Sequence, residues 1–236
     1  MSIWPFHRRL SIEDSGVLKG YTDWHCHLLP GVDDGVETLD ECLGLLSIYE
    51  IQGVRAVWMT PHIMEDIPNT PEQLRKVFEK VKAAYKGNMV LHLAAEHMLD
   101  HLFEERLEAG EVMPIGPERR YLLVETSYFN PPANMDALLE RIKQKGFIPI
   151  LAHPERYTYM DDSDYRKYKQ MGVRLQLNLL SLVGCYGQTA LKKANNLLKQ
   201  GMYDVSGTDT HSYANFENDI LIPGLRDPLQ APTITF

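Results

Sequence analysis

Short apolar, β-branched runs alternate along this chain with longer stretches in which apolar positions recur at helical spacing. The runs predict seven strands, around 20–26, 54–60, 89–95, 120–125, 147–152, 173–178 and 203–208. The periodic stretches predict helices at about 36–52, 71–86, 99–109, 134–146, 162–171 and 188–200. Strand then helix throughout is the pattern of a parallel sheet, open or closed. Gly53, Gly87, Gly110, Gly146, Gly172 and Gly201 stand where those helices should stop, in keeping with left-handed caps. Thr70-Pro71 reads as an N-cap with proline at the first helical position.

The residues at the strand ends are more informative than the strands themselves. The first strand delivers His25 and His27, the second His62 in Thr60-Pro61-His62, and the third Glu96. The fourth ends at Glu125, the fifth at His153 in His153-Pro154-Glu155-Arg156, and the seventh at Asp209 and His211. Strand six offers only Asn178. A parallel sheet closed into a barrel puts all its strand C-terminal ends on one side, so residues far apart in sequence can meet there. His25 and His27 leave a regular strand on one face, with Trp24 and Cys26 on the other. Asp33 and Asp34 come after Gly31 in a tight turn; either could return to the cluster while the other caps the helix beginning near Val36.

Imidazole mixed with carboxylate suits Mn, Fe or Zn rather than a calcium loop. With Asp34 the candidates are too many for one ion, so two or three divalent ions sharing bridging carboxylates are expected. Arg156, just past His153, has the planar fork that a phosphoryl group fits, or else pairs with Glu155. Other histidines read differently. His7 belongs to an irregular terminus, His92 to a sheet face, and His97 and His101, at i and i+4, lack the intervening Glu of a zinc-protease motif. His97 could instead orient Glu96. Cys26 and Cys42 read as core thiols, and Cys185 lacks the Cys-x5-Arg arrangement of a cysteine phosphatase. Gly31-Val32-Asp33-Asp34-Gly35 lacks the basic and hydroxyl ending of a nucleotide-phosphate loop, which argues against ATP or NAD chemistry.

Composition narrows the class. A chain of 236 residues with no Ser/Gly/Pro linker predicts one domain over 1–236, its barrel and metal region at about 20–211 and an irregular extension over 212–236. The formal charge of -8 opposes nonspecific attraction to nucleic acid. Three scattered cysteines, no leader-like start and no apolar run of about 18 residues predict a reducing, cytoplasmic setting without stable membrane insertion.

Asp23-Trp24-His25-Cys26-His27-Leu28-Leu29-Pro30-Gly31-Val32-Asp33-Asp34-Gly35, Thr60-Pro61-His62, Ala95-Glu96, Leu123-Val124-Glu125, His153-Pro154-Glu155-Arg156 and Thr208-Asp209-Thr210-His211 together resemble the polymerase and histidinol phosphatase (PHP) superfamily. Within it they are most similar to the metal-dependent bacterial protein-tyrosine phosphatases associated with capsule and exopolysaccharide synthesis. The resemblance implies an α/β fold, a distorted seven-stranded (β/α)7 TIM-like barrel. It assigns His25, His27, Glu96 and Asp209 to one ion, Asp34, His62 and His211 to a second, and Glu96, Glu125 and His153 to a third. Manganese is the implied metal, with iron or zinc as alternatives. Arg156, Asp209 and His211 carry the implied catalysis, with Arg156 as phosphate clamp.

The implied reaction is hydrolysis of protein phosphotyrosine, with the C-terminal tail of a bacterial tyrosine kinase that regulates polysaccharide synthesis as substrate. A small-molecule phosphomonoesterase such as histidinol phosphatase is the enzymatic alternative, and a non-catalytic metal-dependent regulatory subunit the other. Tyr128-Phe129, Tyr157 and Tyr159 are either a rim for an aromatic substrate or ordinary packing. Two departures stand out. The family commonly has Ser-Asp-Ala-His where this chain has Thr208-Asp209-Thr210-His211, and Ser212-Tyr213-Ala214-Asn215 brings no second arginine.

Overall fold

A computed structural model describes residues 9–225 and 229–232. In chain order its first half contains α1 (Ile12–Ser15), β1 (Thr22–Cys26), α2 (Leu39–Gln52), β2 (Ala56–Met59), β3 (His62–Ile63), α3 (Pro71–Ala84), β4 (Val90–Leu93), β5 (Glu96–Met98) and α4 (Phe103–Ala109). The second half adds β6 (Tyr121–Glu125), α5 (Met135–Gln144), β7 (Ile148–Leu151), α6 (Asp162–Gln170), β8 (Arg174–Asn178), α7 (Gly187–Lys199), β9 (Val205–Gly207) and α8 (Tyr213–Asp219). Each expected strand range contains a strand. Pro61, which has no N–H to give a ladder, separates β2 from the two-residue β3 that carries His62. Ala94 and Ala95 likewise separate β4 from β5, which opens on Glu96.

The strands make two sheets, in the orders β1-β2-β4 and β3-β5-β6-β7-β8-β9, and every ladder is parallel. The result is a mixed α/β half-barrel of the TIM-like kind. Backbone contacts also join β1 to the segment after β9: Asp209 N–H donates to His25 O at 2.8 Å and His27 N–H to Thr210 O at 2.9 Å.

The helices cover the sheets through one large apolar core that includes Leu45, Leu46, Leu74, Leu139, Tyr165 and Leu197. A second, smaller cluster of Trp24, Trp58, Leu123, Ile150 and Val205 is made by strand side chains. Trp24 and Cys26 therefore do not share a face as expected, because Cys26 lies in the large core. The β1–β2 register shifts between Asp23 and Cys26, and this irregularity breaks the simple alternation.

Local signals set the helix ends. Thr70 and Gln73 form a reciprocal capping box with Pro71 in the first turn of α3, as expected. Gly53 closes α2 in the left-handed conformation at φ +91°. Two expectations fail here. Helix α3 ends at Ala84, short of Gly87, and α2 begins at Leu39 with Thr38 as its cap, so neither Asp33 nor Asp34 caps it.

The extension beyond residue 212 is also more regular than expected. Helix α8 forms because Phe216 and Ile220, one turn apart, are both buried, and Phe216 lies 4.8 Å from the Tyr49 ring. Leu10 and Leu225 then pair antiparallel, which ties the segment before α1 to the segment after α8. His7 and Pro228 lie outside the described residues.

Trp58 stacks on Trp24 at 5.8 Å and on His92 at 4.4 Å in the strand-only cluster. Trp58→Ala should cost about 3–5 kcal/mol in denaturant unfolding, with Trp58→Phe recovering part of it.

Candidate metal centre

Nine side chains from six strand ends and the loop after β1 converge on one mouth. They fall into three groups whose donor atoms lie within 4.8 Å of one another: His27, Asp34, His62 and His211; His25, Glu96, His153 and Asp209; and His62, Glu96 and Glu125. Every expected ligand is in the constellation. The grouping differs from the one the resemblance implied, since His27 also sits with Asp34 and His211, His153 with His25 and Asp209, and His62 with Glu125. Glu96 lies at the junction, as a bridging carboxylate should.

The orientation of the imidazoles indicates what the site is built for. His25 Nδ1–H donates to Gln176 Oε1 at 3.1 Å, His27 Nδ1–H to Asp33 Oδ2 at 2.8 Å and His211 Nδ1–H to the Asp209 carbonyl at 2.8 Å. Each bond occupies Nδ1 and leaves Nε2 facing inward, where it can take a metal ion or a proton. His25 Nε2 and His27 Nε2 are consequently 3.1 Å apart, and Glu96 Oε2 is 3.1 and 3.4 Å from them. Asp209 Oδ1 is 3.4 Å from both. Such separations match the edges of a coordination shell around a first-row ion with bonds of about 2.1 Å.

The buried atoms His62 Nδ1, Glu96 Oε2 and His153 Nδ1 have no hydrogen-bond partner. His62 Nδ1 nonetheless lies 3.2 Å from Glu96 and 3.1 Å from Glu125, and His153 Nε2 lies 3.1 Å from Glu96. The donor set therefore fits divalent cations. Electrostatics agree. Burial pushes the His25 imidazole down, but Glu96 and Asp209 outweigh it and raise it to about 9. Burial pushes the Asp209 carboxyl up, but His25, His27, His153 and His211 hold it below the ordinary range. The cluster demands positive charge in its centre.

The outer member is Asp34, whose side chain is 65% exposed and lies 3.5 Å from His62 Nε2 and His211 Nε2. Asp33 is the buried one: besides holding His27 it accepts from His62 N–H at 3.0 Å and Gly35 N–H at 3.0 Å. Sequence reasoning missed that supporting role. It also missed Asp23, whose carboxylate accepts from Thr208 Oγ1 at 2.7 Å, Thr208 N–H at 2.9 Å and Tyr49 OH at 2.9 Å. The Thr210 hydroxyl lies 2.7 Å from Thr208 Oγ1 and 3.0 Å from Tyr49 OH. The backbone is strained where it delivers two of these candidate donors: His153 has φ +31° and Asp209 φ +55°.

Arg156 pairs with Asp209, not Glu155. Its Nη1 donates to Asp209 Oδ2 at 2.6 Å, and its guanidinium lies 4.2 Å from the Tyr128 ring and 4.1 Å from the Tyr186 ring. Glu155 turns inward, where Ser181 Oγ, Tyr203 OH and Asn178 N–H donate to it. Asn178 in turn donates to Asp209 Oδ2 at 3.0 Å. Of the expected rim, Tyr128 lines the cavity and Phe129 is exposed, whereas Tyr157 is buried and Tyr159 is tied to Thr126.

The other histidines are not brought in. His97 points away from Glu96 and accepts from Met113 N–H at 3.1 Å; burial, then Arg106, lowers its pKa to about 3. The expectation that it orients Glu96 fails because consecutive strand residues face opposite ways. His101 pairs with Glu65 on the surface, and His92 stacks on Trp58. Cys26 and Cys42 are buried thiols, as expected.

A family model described as capsular polysaccharide synthesis, CpsB/CapC, matches residues 21–220. The tyrosine-protein phosphatase CpsB of Streptococcus pneumoniae is 30% identical over 203 residues, covering 80% of this chain and 82% of its own length. The tyrosine-protein phosphatase YwqE of Bacillus subtilis is 25% identical over 196 residues, covering 80% and 77%. A crystal structure from work on YwqE of Bacillus subtilis and CpsB of Streptococcus pneumoniae, described as unique metal-dependent tyrosine phosphatases, shares the fold at a TM-score of 0.73. It is 23% identical, and the match covers 81% of this chain and 80% of that one.

The geometry makes metal binding and stability interdependent. Stripping divalent ions with a chelator should lower the melting temperature and adding Mn²⁺ should restore it, by the equivalent of about 2.7 kcal/mol at a hundredfold excess over Kd. A Cβ on Gly207 would sit 2.5 Å from His25 Cβ and 2.9 Å from His25 N. Gly207→Ala should therefore shrink that Mn²⁺-dependent shift, read by thermal denaturation with and without the ion.

Proposed function

The chain belongs to the CpsB/CapC family of capsular polysaccharide synthesis proteins, and from that premise we propose that it is a metal-dependent protein-tyrosine phosphatase. The observation that carries this reading is the convergence of nine metal-type donors, of which Asp34, His62, Glu96, His153, Asp209 and His211 line one cavity of about 710 Å³ together with Arg156. We assign His25, His27, Asp34, His62, Glu96, Glu125, His153, Asp209 and His211 as ligands of two or three divalent ions, with manganese first. Counting β2 with β3 and β4 with β5 as interrupted strands, and joining β1 to β9, supports a distorted seven-stranded barrel in one domain. We place the protein in the cytoplasm; no helix among the described residues is long and apolar enough to cross a membrane.

Divalent cations bound here would supply positive charge for phosphoryl oxygens and acidify water. The protein's own groups do the rest. Asp33, Gln176 and the Asp209 carbonyl hold three imidazoles in the ligating tautomer. Arg156, positioned by Asp209 and clasped between Tyr128 and Tyr186, keeps further N–H donors for the phosphoryl group. That clasp also limits the entropy lost when substrate arrives. Tyrosinate leaves readily because a phenol has a pKa of about 10, so the site needs no strong dedicated acid. Exposed Asp34 and part-exposed His211 form the edge through which protons and product reach solvent.

The proposed substrate is a phosphotyrosine-containing protein, and the tail of a tyrosine kinase that controls polysaccharide synthesis fits the family's context. The deciding measurement is kcat/KM of the Mn²⁺-loaded protein on a phosphotyrosine peptide, histidinol phosphate and simple sugar phosphates. The peptide should win; a higher value for histidinol phosphate would replace the substrate assignment. Metal-loaded protein with no turnover on any of them would instead favour a regulatory subunit. Arg156→Ala should lower kcat about 10²-fold with metal retained, and Arg156→Lys should recover only part of it. His153→Ala and Asp209→Ala should lose both turnover and bound ion, read by elemental analysis.

A further inference from the structure

The cavity is larger than the metal cluster and a phosphoryl group require. Its volume is about 710 Å³, and cavities of about 300–1,000 Å³ enclose whole drug-sized ligands. One half is walled by candidate ligands. The other is walled by Leu180, Cys185, Tyr186, Phe216, Asp219 and Ile222, from the 3-10 turn Leu179–Val183, the entry to α7, and the region of α8.

That second wall is firm and carries little charge. Leu180 and Phe216 are buried, and Phe216 is braced by the Tyr49 ring. Burial, then Asp219, pushes the Cys185 thiol up to about 12, so it stays neutral. Arg156, the cavity's one Arg or Lys among the described lining residues, is committed to Asp209 and two tyrosine rings. Asp219 is therefore the fixed charge of this half. Partial burial makes its carboxylate costlier to keep ionised, and a hydrogen bond with Cys185 offsets part of that cost.

We propose that this half of the cavity is a subsite for residues flanking the phosphotyrosine, and that Asp219 makes it select a cationic side chain over an acidic one. The inference rests on the phosphotyrosyl-protein reading above, since a small phosphate ester has no flanking residue. The apolar surface of Leu180, Phe216 and Ile222 suits the methylene stem of a lysine or arginine, whose charged head meets Asp219. An acidic side chain in the same place would face a like charge in partly excluded water.

The test uses the full-length, Mn²⁺-loaded protein and phosphotyrosine peptides carrying Lys, Ala or Glu at each of two positions on either side of the phosphotyrosine. At low ionic strength one position should favour Lys over Glu by about three- to tenfold in kcat/KM, and added salt should compress the ratio. Asp219→Asn should bring the ratio towards one, Asp219→Lys should invert it, and Asp219→Glu should keep it. Glu118→Gln, an equal charge change on an exposed residue outside the cavity, should leave it unaltered.

Peptides cleaved with no preference at any position would overturn the subsite while leaving the phosphatase reading intact. A preference that survives Asp219→Asn, or that Glu118→Gln reduces equally, would transfer it to the protein's overall negative charge and overturn the role of Asp219. Failure to cleave any phosphotyrosine peptide would remove the function and the subsite together.

Discussion

The structure is organised around the cost of holding acids and imidazoles together away from water. Glu96 and Asp209 are buried, and inward-facing nitrogens of His25, His27, His62 and His153 surround them. Unpaired charge in such a setting costs several kcal/mol per group, and crowding the donor atoms against one another adds to it. Positive charge in the centre resolves both difficulties at once. The supporting bonds serve the same end: Asp33 and Gln176 do not neutralise the cluster but turn two imidazoles so that their basic nitrogens face it. Strained φ values at His153 and Asp209 belong to the same arrangement, since relaxing either would swing a donor out of the shell.

The parallel sheets explain why so much of this was legible in the chain. A strand is a local pattern, and the residue just past its end is placed by that strand alone, so His62, Glu96, Glu125, His153 and Asp209 could be read off one run at a time. The features that escaped depended on contacts between distant runs. Asp33 and Asp34 are adjacent and chemically alike; which one turns inward is decided by the Gly35 and His62 N–H groups that Asp33 accepts from. The face of Trp24 was misjudged because a register shift in β1 leaves no trace in hydrophobic alternation. Helix α8 was missed because its apolar face contains little more than Phe216 and Ile220, too short a signal to separate from a loop.

Arg156 shows how one backbone irregularity assigns two neighbouring side chains to different tasks. His153 in the left-handed region starts a 3-10 turn over Pro154–Arg156, so the chain leaves β7 curling instead of extending. Glu155 is thereby driven into the interior, where Ser181, Tyr203 and Asn178 receive it. Arg156 emerges over the cluster and meets Asp209. In an extended continuation the two would lie on opposite sides of the strand, and the sequence left a phosphoryl contact and a pair with Glu155 equally open for Arg156. The turn excludes the pair, and it also separates the cation that contacts the cavity from the carboxylate that would otherwise neutralise it.

The segment after β9 and the outer wall of the cavity share a support. Tyr49, from α2, places its hydroxyl among Asp23, Thr208 and Thr210, and so braces the segment that carries Asp209 and His211. Its ring meets Phe216 of α8, the same residue that faces the cavity. Thr210 adds its hydroxyl to this buried group. The Thr208 and Thr210 hydroxyls are thus internal, absorbed by packing. Any feature that distinguishes this site towards its substrate must come from the surface that remains free to meet it, the wall of α8 and the turn before α7, where an acidic group stands among apolar ones.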